Sequence, residues 1–266
     1  MTETDTPSPA PPGAPLPPPV GVVGAGRLGT AFADALRTAG LDVAGPAGRG
    51  AVPAGEAIVL CVPDAEIPAA AAAVAGAAPF VGHTSGATPL EALAPATAAG
   101  AEAFCLHPLQ TFAGGDPAPA ERFAGAGCAI SGSSASARSV AHGLAGSLGM
   151  DSFDLADSDR AAYHAAASIG SNFLVTLEAA AERLAGTAGL QPDEARRVLT
   201  PLVRSTVENW SALGPERALT GPIARGDSET VARQRAAIED RAPELLGLFD
   251  ALVEHTWRLS ARAVPA

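Results

Sequence analysis

The chain has 266 residues, enough for about two domains on ordinary length grounds. It is 47% hydrophobic but only 4% aromatic, so its core must be built mainly from Ala, Val and Leu. A net charge of -11 argues against a nucleic-acid partner, which needs a basic face to displace counterions from phosphate.

Residues 1–19 carry eight prolines and no basic residue, which predicts a disordered tail rather than a secretory signal. The segment Val20 to Leu36, VGVVGAGRLGTAFADAL, reads as a short strand, a glycine turn and a helix. Gly24, Gly26 and Gly29 have the G-x-G-x-x-G spacing of a dinucleotide-binding loop. Gly24 is expected to permit the sharp turn, Gly26 to let the backbone approach a pyrophosphate, and Gly29 to pack helix against strand. Ala25, Arg27 and Leu28 complete the loop, and the N–H groups and dipole of the helix favour an anion there.

Apolar runs recur as far as Met150, namely LDVAG, AIVLCVP, PFVGHTSG, AFCLHP and GCAISG, with helical stretches between them. This alternation predicts an α/β domain over residues 20–150 with a Rossmann-type parallel sheet. Ligands of such sheets bind beyond the carboxyl ends of the strands, which singles out Arg49, Pro63, Asp64, His83, Ser85, His107 and Gln110, with Val62 beside Pro63 on the cofactor side. The cysteines, Cys61, Cys105 and Cys128, fall in these runs and read as buried free thiols, with no metal-ligand spacing. The alanine-rich stretch Ala69 to Ala78 is too short to span a bilayer, so a cytoplasmic protein with no membrane partner is expected.

NAD-binding loops place a carboxylate about twenty residues beyond the first glycine. Here that window reads AGPAGRG, with Arg49 and no acid. A guanidinium pairs with a 2′-phosphate where a carboxylate would repel it, which favours NADP (NADPH) over NAD. The plainer alternative for Arg49 is a solvated side chain in a glycine-rich turn.

All 17 basic residues are arginines. Lysine chemistry is therefore excluded, and the proton donors near neutral pH are histidines. His142 and His255 read as surface or structural. His107 precedes Pro108, which forces extended backbone at a strand end, and His83 occupies the same place one strand earlier with Ser85 two residues on.

Beyond Asp157 the strand signals stop, and an all-helical domain is expected over residues 151–266. Helices are predicted from Asp159 to about Ala185, from Thr200-Pro201 to Gly214, after an Asp227 cap, and from Ala242-Pro243 onward. His164, Ser168 and Asn172 fall on one face of the first helix, where hydrogen bonding between helices is the plainer role. Tyr163 would need Lys at position 167 to form a tyrosine–lysine catalytic pair, and that position is Ala. In Leu219 to Asp227, LTGPIARGD, Thr220 and Arg225 can grip an anionic group, or Arg225 can pair with Asp227.

Taken together, GAGRLG, HTSGA, HPL, YHAAASIGSNF, VENW and LTGPIARGD resemble the Rossmann-like oxidoreductases with a C-terminal helical domain of unknown function, within the 6-phosphogluconate-dehydrogenase-like clan. The resemblance runs from about Val20 to Ala261. It implies NADP in the first domain, a long helix shaping a substrate site, and a homodimer formed through the helical half. Clan reductases of β-hydroxyacids and ketopantoate carry a Lys and, four residues later, an Asn on this helix. Asn172 matches that Asn, but position 168 is Ser. His107-Pro108 looks like the His-Pro of prephenate dehydrogenases. The resemblance thus implies an NADPH-dependent reductase of a small anionic 2-oxo acid, with ketopantoate the first to test. In that scheme Ser85 and Asn172 orient the carbonyl, His107 or His164 donates the proton, and His83, Ser168, Thr220 and Arg225 contact substrate. Prephenate-dehydrogenase-like oxidation and a non-catalytic NADP-binding regulator are the alternatives.

Overall fold

The computed structural model describes residues 18–115 and 118–262, so the tail expected at residues 1–19 lies, but for its last two positions, outside them. The chain divides into two compact units, residues 1–169 and 170–266.

In the first unit, β1 (Val20–Val23) is wholly buried and turns through the glycine loop into α1 (Arg27–Thr38). There follow β2 (Val43–Ala47), β3 (Ala57–Leu60), α2 (Ile67–Ala73), β4 (Phe80–His83) and α3 (Ala94–Ala98). The unit is completed by β5 (Glu102–Pro108), β6 (Gly127–Gly132), α4 (Ala135–Ser147), β7 (Asp151–Asp154) and most of α5 (Arg160–Gly170). The strands form one sheet in the order β2-β1-β3-β4-β5-β6-β7. One apolar cluster includes Phe32, Leu36, Phe123 and Leu144, and a second is built around Ile67, Val74, Val81 and Leu93. β2 and β3 flank β1 on opposite sides, so the chain reverses direction across the sheet there and opens a crevice at the carboxyl ends of β1 and β3.

Two expectations change. The sheet is parallel except that β5 and β6 run antiparallel, with Leu106 opposite Ile130. A parallel return needs a crossover element, and the link between these strands offers only a short 3-10 turn at Pro119–Phe123. The domain also runs past Met150, because β7 adds to the sheet edge. Its sequence, DSFD, is a polar and largely exposed edge strand without the apolar run that marks the others.

The second unit holds α6 (Asn172–Thr187), α7 (Pro192–Leu213), α8 (Pro215–Ala218), α9 (Ser228–Arg241) and α10 (Leu246–Arg262). The single helix expected from Asp159 to Ala185 is two, because Ser171 leaves helical geometry at φ -122°, ψ -73°. Gly170 and Ser171 are weak helix formers, and the break falls on them. Thr200-Pro201 does not begin a helix. Pro192 does, with Asp193 and Glu194 in the first turn, while Pro201 sits inside α7. Asp227 caps α9 as expected, accepting a 3.0 Å hydrogen bond from the Thr230 N–H. Little apolar surface is covered here. Among the described residues of this unit only Ala195, Ile238 and Ala242 are buried hydrophobics, while Phe173, Val175, Leu202 and Trp210 are more than half exposed.

Candidate active site

The three loop glycines meet three separate requirements. Gly24 has φ +106°, and a Cβ there would lie 2.2 Å from the Cys61 carbonyl oxygen. A Cβ at Gly29 would lie 1.9 Å from the Gly24 oxygen, where α1 closes on β1. At Gly26 a Cβ would meet nothing within 4 Å. That open face adjoins the N-terminus of α1, whose first turn holds no acidic residue. The first N–H groups of a helix lack partners within it and point outward. A cavity of about 540 Å³ lies in front, lined among others by Gly24, Ala25, Gly26, Val62 and Pro63, with Arg49 across from Glu66. Arg27 is exposed at the first helical position, and Leu28 packs against the core. An anion with a bulky extension fits this space and these donors.

At the end of β4 the segment His83-Thr84-Ser85-Gly86 turns back under its own hydrogen bonds. The Ser85 N–H donates to His83 Nδ1 at 3.2 Å. The Ser85 hydroxyl accepts from the N–H groups of Ala87 and Thr88 and donates to Thr88 Oγ1. His83, expected at the substrate, is instead fully buried beneath this turn, and Ser85, expected to orient a carbonyl, has its hydroxyl committed to the turn. Burial, reinforced by the Arg160 charge, pushes His83 down to about 4, so it is a neutral strut.

The support for this turn is Arg160, the first residue of α5 and only 2% exposed. Its Nε donates to Asp157 Oδ1 at 2.6 Å, Nη1 to the Ser85 carbonyl at 3.4 Å, and Nη2 to the Ser131 hydroxyl. Cys105 also donates to the Ser85 carbonyl, at 3.3 Å. Burial opposes the charge on Asp157, but bonds from Arg160 and the Leu90 N–H hold its carboxyl below the usual range. One guanidinium thereby ties β4, β6 and the start of α5 together.

Above that anchor three rings converge. His107, at the end of β5, has Nδ1 2.8 Å from the Tyr163 hydroxyl, the two rings standing at 89°. His107 and His164 have ring centroids 6.2 Å apart, and Phe153 packs edge-on to Tyr163. Gly86 lies buried between the imidazoles. A Cβ there would come 2.8 Å from His107 Nε2 and 2.9 Å from His164 Cδ2. Burial pushes His107 down to about 4, with the charges of His164 and Arg160 adding to the shift. Burial likewise pushes the Tyr163 phenol up to about 12. Around neutral pH the pair is thus a neutral imidazole beside a protonated phenol, while His164 stays exposed to water.

The structure therefore joins His107, His164, Ser85 and His83 in one cluster and adds Gly86 and Arg160, which no local motif marks, and Tyr163 in a role other than a tyrosine–lysine pair. The missing lysine at position 167 excludes only a tyrosine–lysine pair and leaves Tyr163 able to partner a histidine. Nothing local marks Gly86, since its constraint comes from side chains 21 and 78 residues away. Ser168, half-buried, lies on α5 one turn beyond His164, but the stripe stops there because Asn172 opens the next helix. In the helical unit Asn172, Thr220 and Arg225 are exposed, and Arg225 acts on Asp227 through its charge, while that carboxylate serves as a helix cap. His142, read as surface, bridges Ser152 at 2.8 Å and Asp154 at 3.2 Å on the edge strand. Cys61, Cys105 and Cys128 are free, and Cys61 is only half-buried at the cavity wall. Among the described residues no helix is long and apolar enough to cross a membrane.

Comparison with known proteins agrees with this architecture. No curated protein matches the chain in sequence. A protein of Bacteroides fragilis named as an NADP oxidoreductase is 21% identical, with 90% of this chain and 98% of that one covered at a TM-score of 0.73. The protein TM1727 of Thermotoga maritima is 22% identical over 91% and 98% of the two chains, also at 0.73. A reductive aminase from Aspergillus terreus, solved with NADPH and ethyl-5-oxohexanoate, is 18% identical over 91% and 97%, at 0.60. Residues 126–256 match the family model of a domain of unknown function, DUF2520. The likeness to these solved structures shows a Rossmann-like fold, and the DUF2520 match falls on residues 126–256.

Proposed function

We propose that the chain is an NADP(H)-dependent oxidoreductase that reduces a small anionic carbonyl compound, with a 2-oxo acid such as ketopantoate as the first candidate. The observation that carries this reading is the open face at Gly26, set at an acid-free helix N-terminus beside a cavity that Arg49 borders. Gly24 to Gly29 hold the pyrophosphate through backbone N–H groups, and Arg49 takes the 2′-phosphate. The nicotinamide supplies a hydride when bound. His83 and His107 end strands β4 and β5, next along the sheet from the β1–β3 crevice, and His164 joins them from α5.

The two histidines take separate tasks. In this reading Tyr163 stays protonated and its hydroxyl donates a hydrogen bond to His107 Nδ1, the tautomer that carries the imidazole hydrogen on Nε2, the nitrogen beside Gly86. A neutral imidazole held this way is a fixed hydrogen-bond donor for an oxygen that gains charge. It is a poor acid. His164, open to solvent at the same turn, delivers the proton to that oxygen and recovers it from water. His83, Arg160 and the Ser85 hydroxyl hold the turn and stay off the substrate.

Titrating the full chain with NADPH by fluorescence, then following its oxidation over a panel of keto acids and imines, tests the reading. Saturable binding and turnover with at least one carbonyl acid are expected, and no binding to either pyridine nucleotide would refute it. A non-catalytic regulator would bind and never turn over. A prephenate-type dehydrogenase would instead reduce NADP when given the hydroxylated tyrosine precursor.

The helical unit is proposed to form a homodimer. With so few hydrophobic side chains covered, its helices need a second apolar layer, and a second copy presents the same face. Sedimentation should give a dimer, and Leu202→Glu with Trp210→Glu should yield monomers; a monomeric wild type at micromolar concentration would count against it.

A further inference from the structure

Arg49 is not free at the cavity mouth. Its Nη2 lies 2.6 Å from Glu66 Oε1, and both side chains line the cavity that holds the glycine loop. The partners come from different places, Arg49 from the segment after β2 and Glu66 from the turn that opens α2. Glu66 sits at the helix start yet makes no capping bond with its side chain, so its carboxylate is committed to Arg49. At 85% and 42% side-chain exposure the pair does little for the fold, because exposed ion pairs contribute little.

Resting on the NADP(H) reading above, we propose that Glu66 is a coenzyme-selectivity residue that works against Arg49. In the free protein the carboxylate occupies the guanidinium, and a 2′-phosphate has to displace it. The displaced carboxylate is then a nearby negative charge that weakens phosphate binding. A ribose carrying plain hydroxyls meets the opposite arrangement: Glu66 accepts from the diol, as the acidic residue of NAD-binding loops does, while Arg49 has no partner on the ligand. The loop window lacks its own carboxylate, and Glu66, seventeen residues beyond Arg49, brings one back from across the cleft. The pair therefore narrows the preference between the two coenzymes instead of fixing it on one.

Calorimetric titration of the full apo chain with NADPH and with NADH reads this directly, without turnover. Glu66→Gln should tighten NADPH and weaken NADH by roughly 3- to 10-fold each, the scale of a single charge in a partly solvated site. Arg49→Gln should weaken NADPH by about 30- to 100-fold and change NADH by less than about threefold, as expected for loss of a charge-assisted phosphate contact. In the Arg49→Gln background, Glu66→Gln should no longer tighten NADPH by displacement relief, and its gain should shrink. Glu66→Ala should weaken NADH at least as much as Glu66→Gln. Parallel changes in both coenzymes, or none, on Glu66→Gln would overturn the inference while leaving NADP(H) binding intact. Failure of the wild type to bind either coenzyme would overturn both.

Discussion

Replacing His107 with alanine should lower kcat by about 10²- to 10³-fold, the loss seen when one preorganised donor to a developing oxyanion is removed. NADPH affinity should stay within about threefold, since His107 does not line the nucleotide cavity. His164→Ala should also slow turnover, but added imidazole should restore part of it, because a small buffer acid can replace a proton donor and cannot replace a positioned hydrogen bond. Tyr163→Phe should resemble a weak His107 variant: the imidazole remains, but its tautomer is no longer fixed by the 2.8 Å contact. The pH profile provides a further check. With His107 held at about 4, its neutral form persists through mildly acidic conditions, and its acid limb should appear only near pH 4. Full activity in His107→Ala, or imidazole rescue of that variant and not of His164→Ala, would reverse the assignment.

Arg160→Met should destabilise the first unit by about 3 kcal/mol, because the buried polar groups that the guanidinium satisfies lose their partner. The Ser131 hydroxyl and the Ser85 carbonyl are the buried groups left short, while Asp157 is exposed enough to regain water. A domain of this size should then melt about 6–12 °C lower. The Arg160 charge also contributes to holding His83 and His107 down, so its loss should move the acid limb of activity to higher pH. The linkage has a defined sign. These histidines bind protons less readily folded than unfolded, so wild-type stability should fall as pH drops from about 6.5 towards 4, and Arg160→Met should soften that decline. Thermal melts across pH, with Arg160→Lys keeping the charge but losing the fork, separate the two effects. A loss under 1 kcal/mol in Arg160→Met would show that the buried guanidinium is dispensable.

How much of this could be read in advance depended on how far each constraint reaches along the chain. The glycine loop is local, and all three glycines fulfil the separate requirements their spacing implies. His107 is legible because Pro108 restricts it and a strand end places it. By contrast, β7 is polar and lies at an edge, so it lacks the apolar run that reveals a strand. The antiparallel turn of β6 depends on the absence of a crossover helix, which composition does not announce. Pro201 misled because an interior proline and a first-turn proline look alike in sequence, and tertiary packing decides between them. Tyr163, Gly86 and Arg160 owe their importance to contacts across 20 to 80 residues, and no local pattern encodes such distances.

The thin interior of the described helical residues, 170–262, has a consequence for handling the protein. Where folding and association are one equilibrium, dilution itself acts as a denaturant, and the apparent melting point becomes a property of the sample as much as of the chain. Nanomolar assays would then understate both stability and activity relative to micromolar ones.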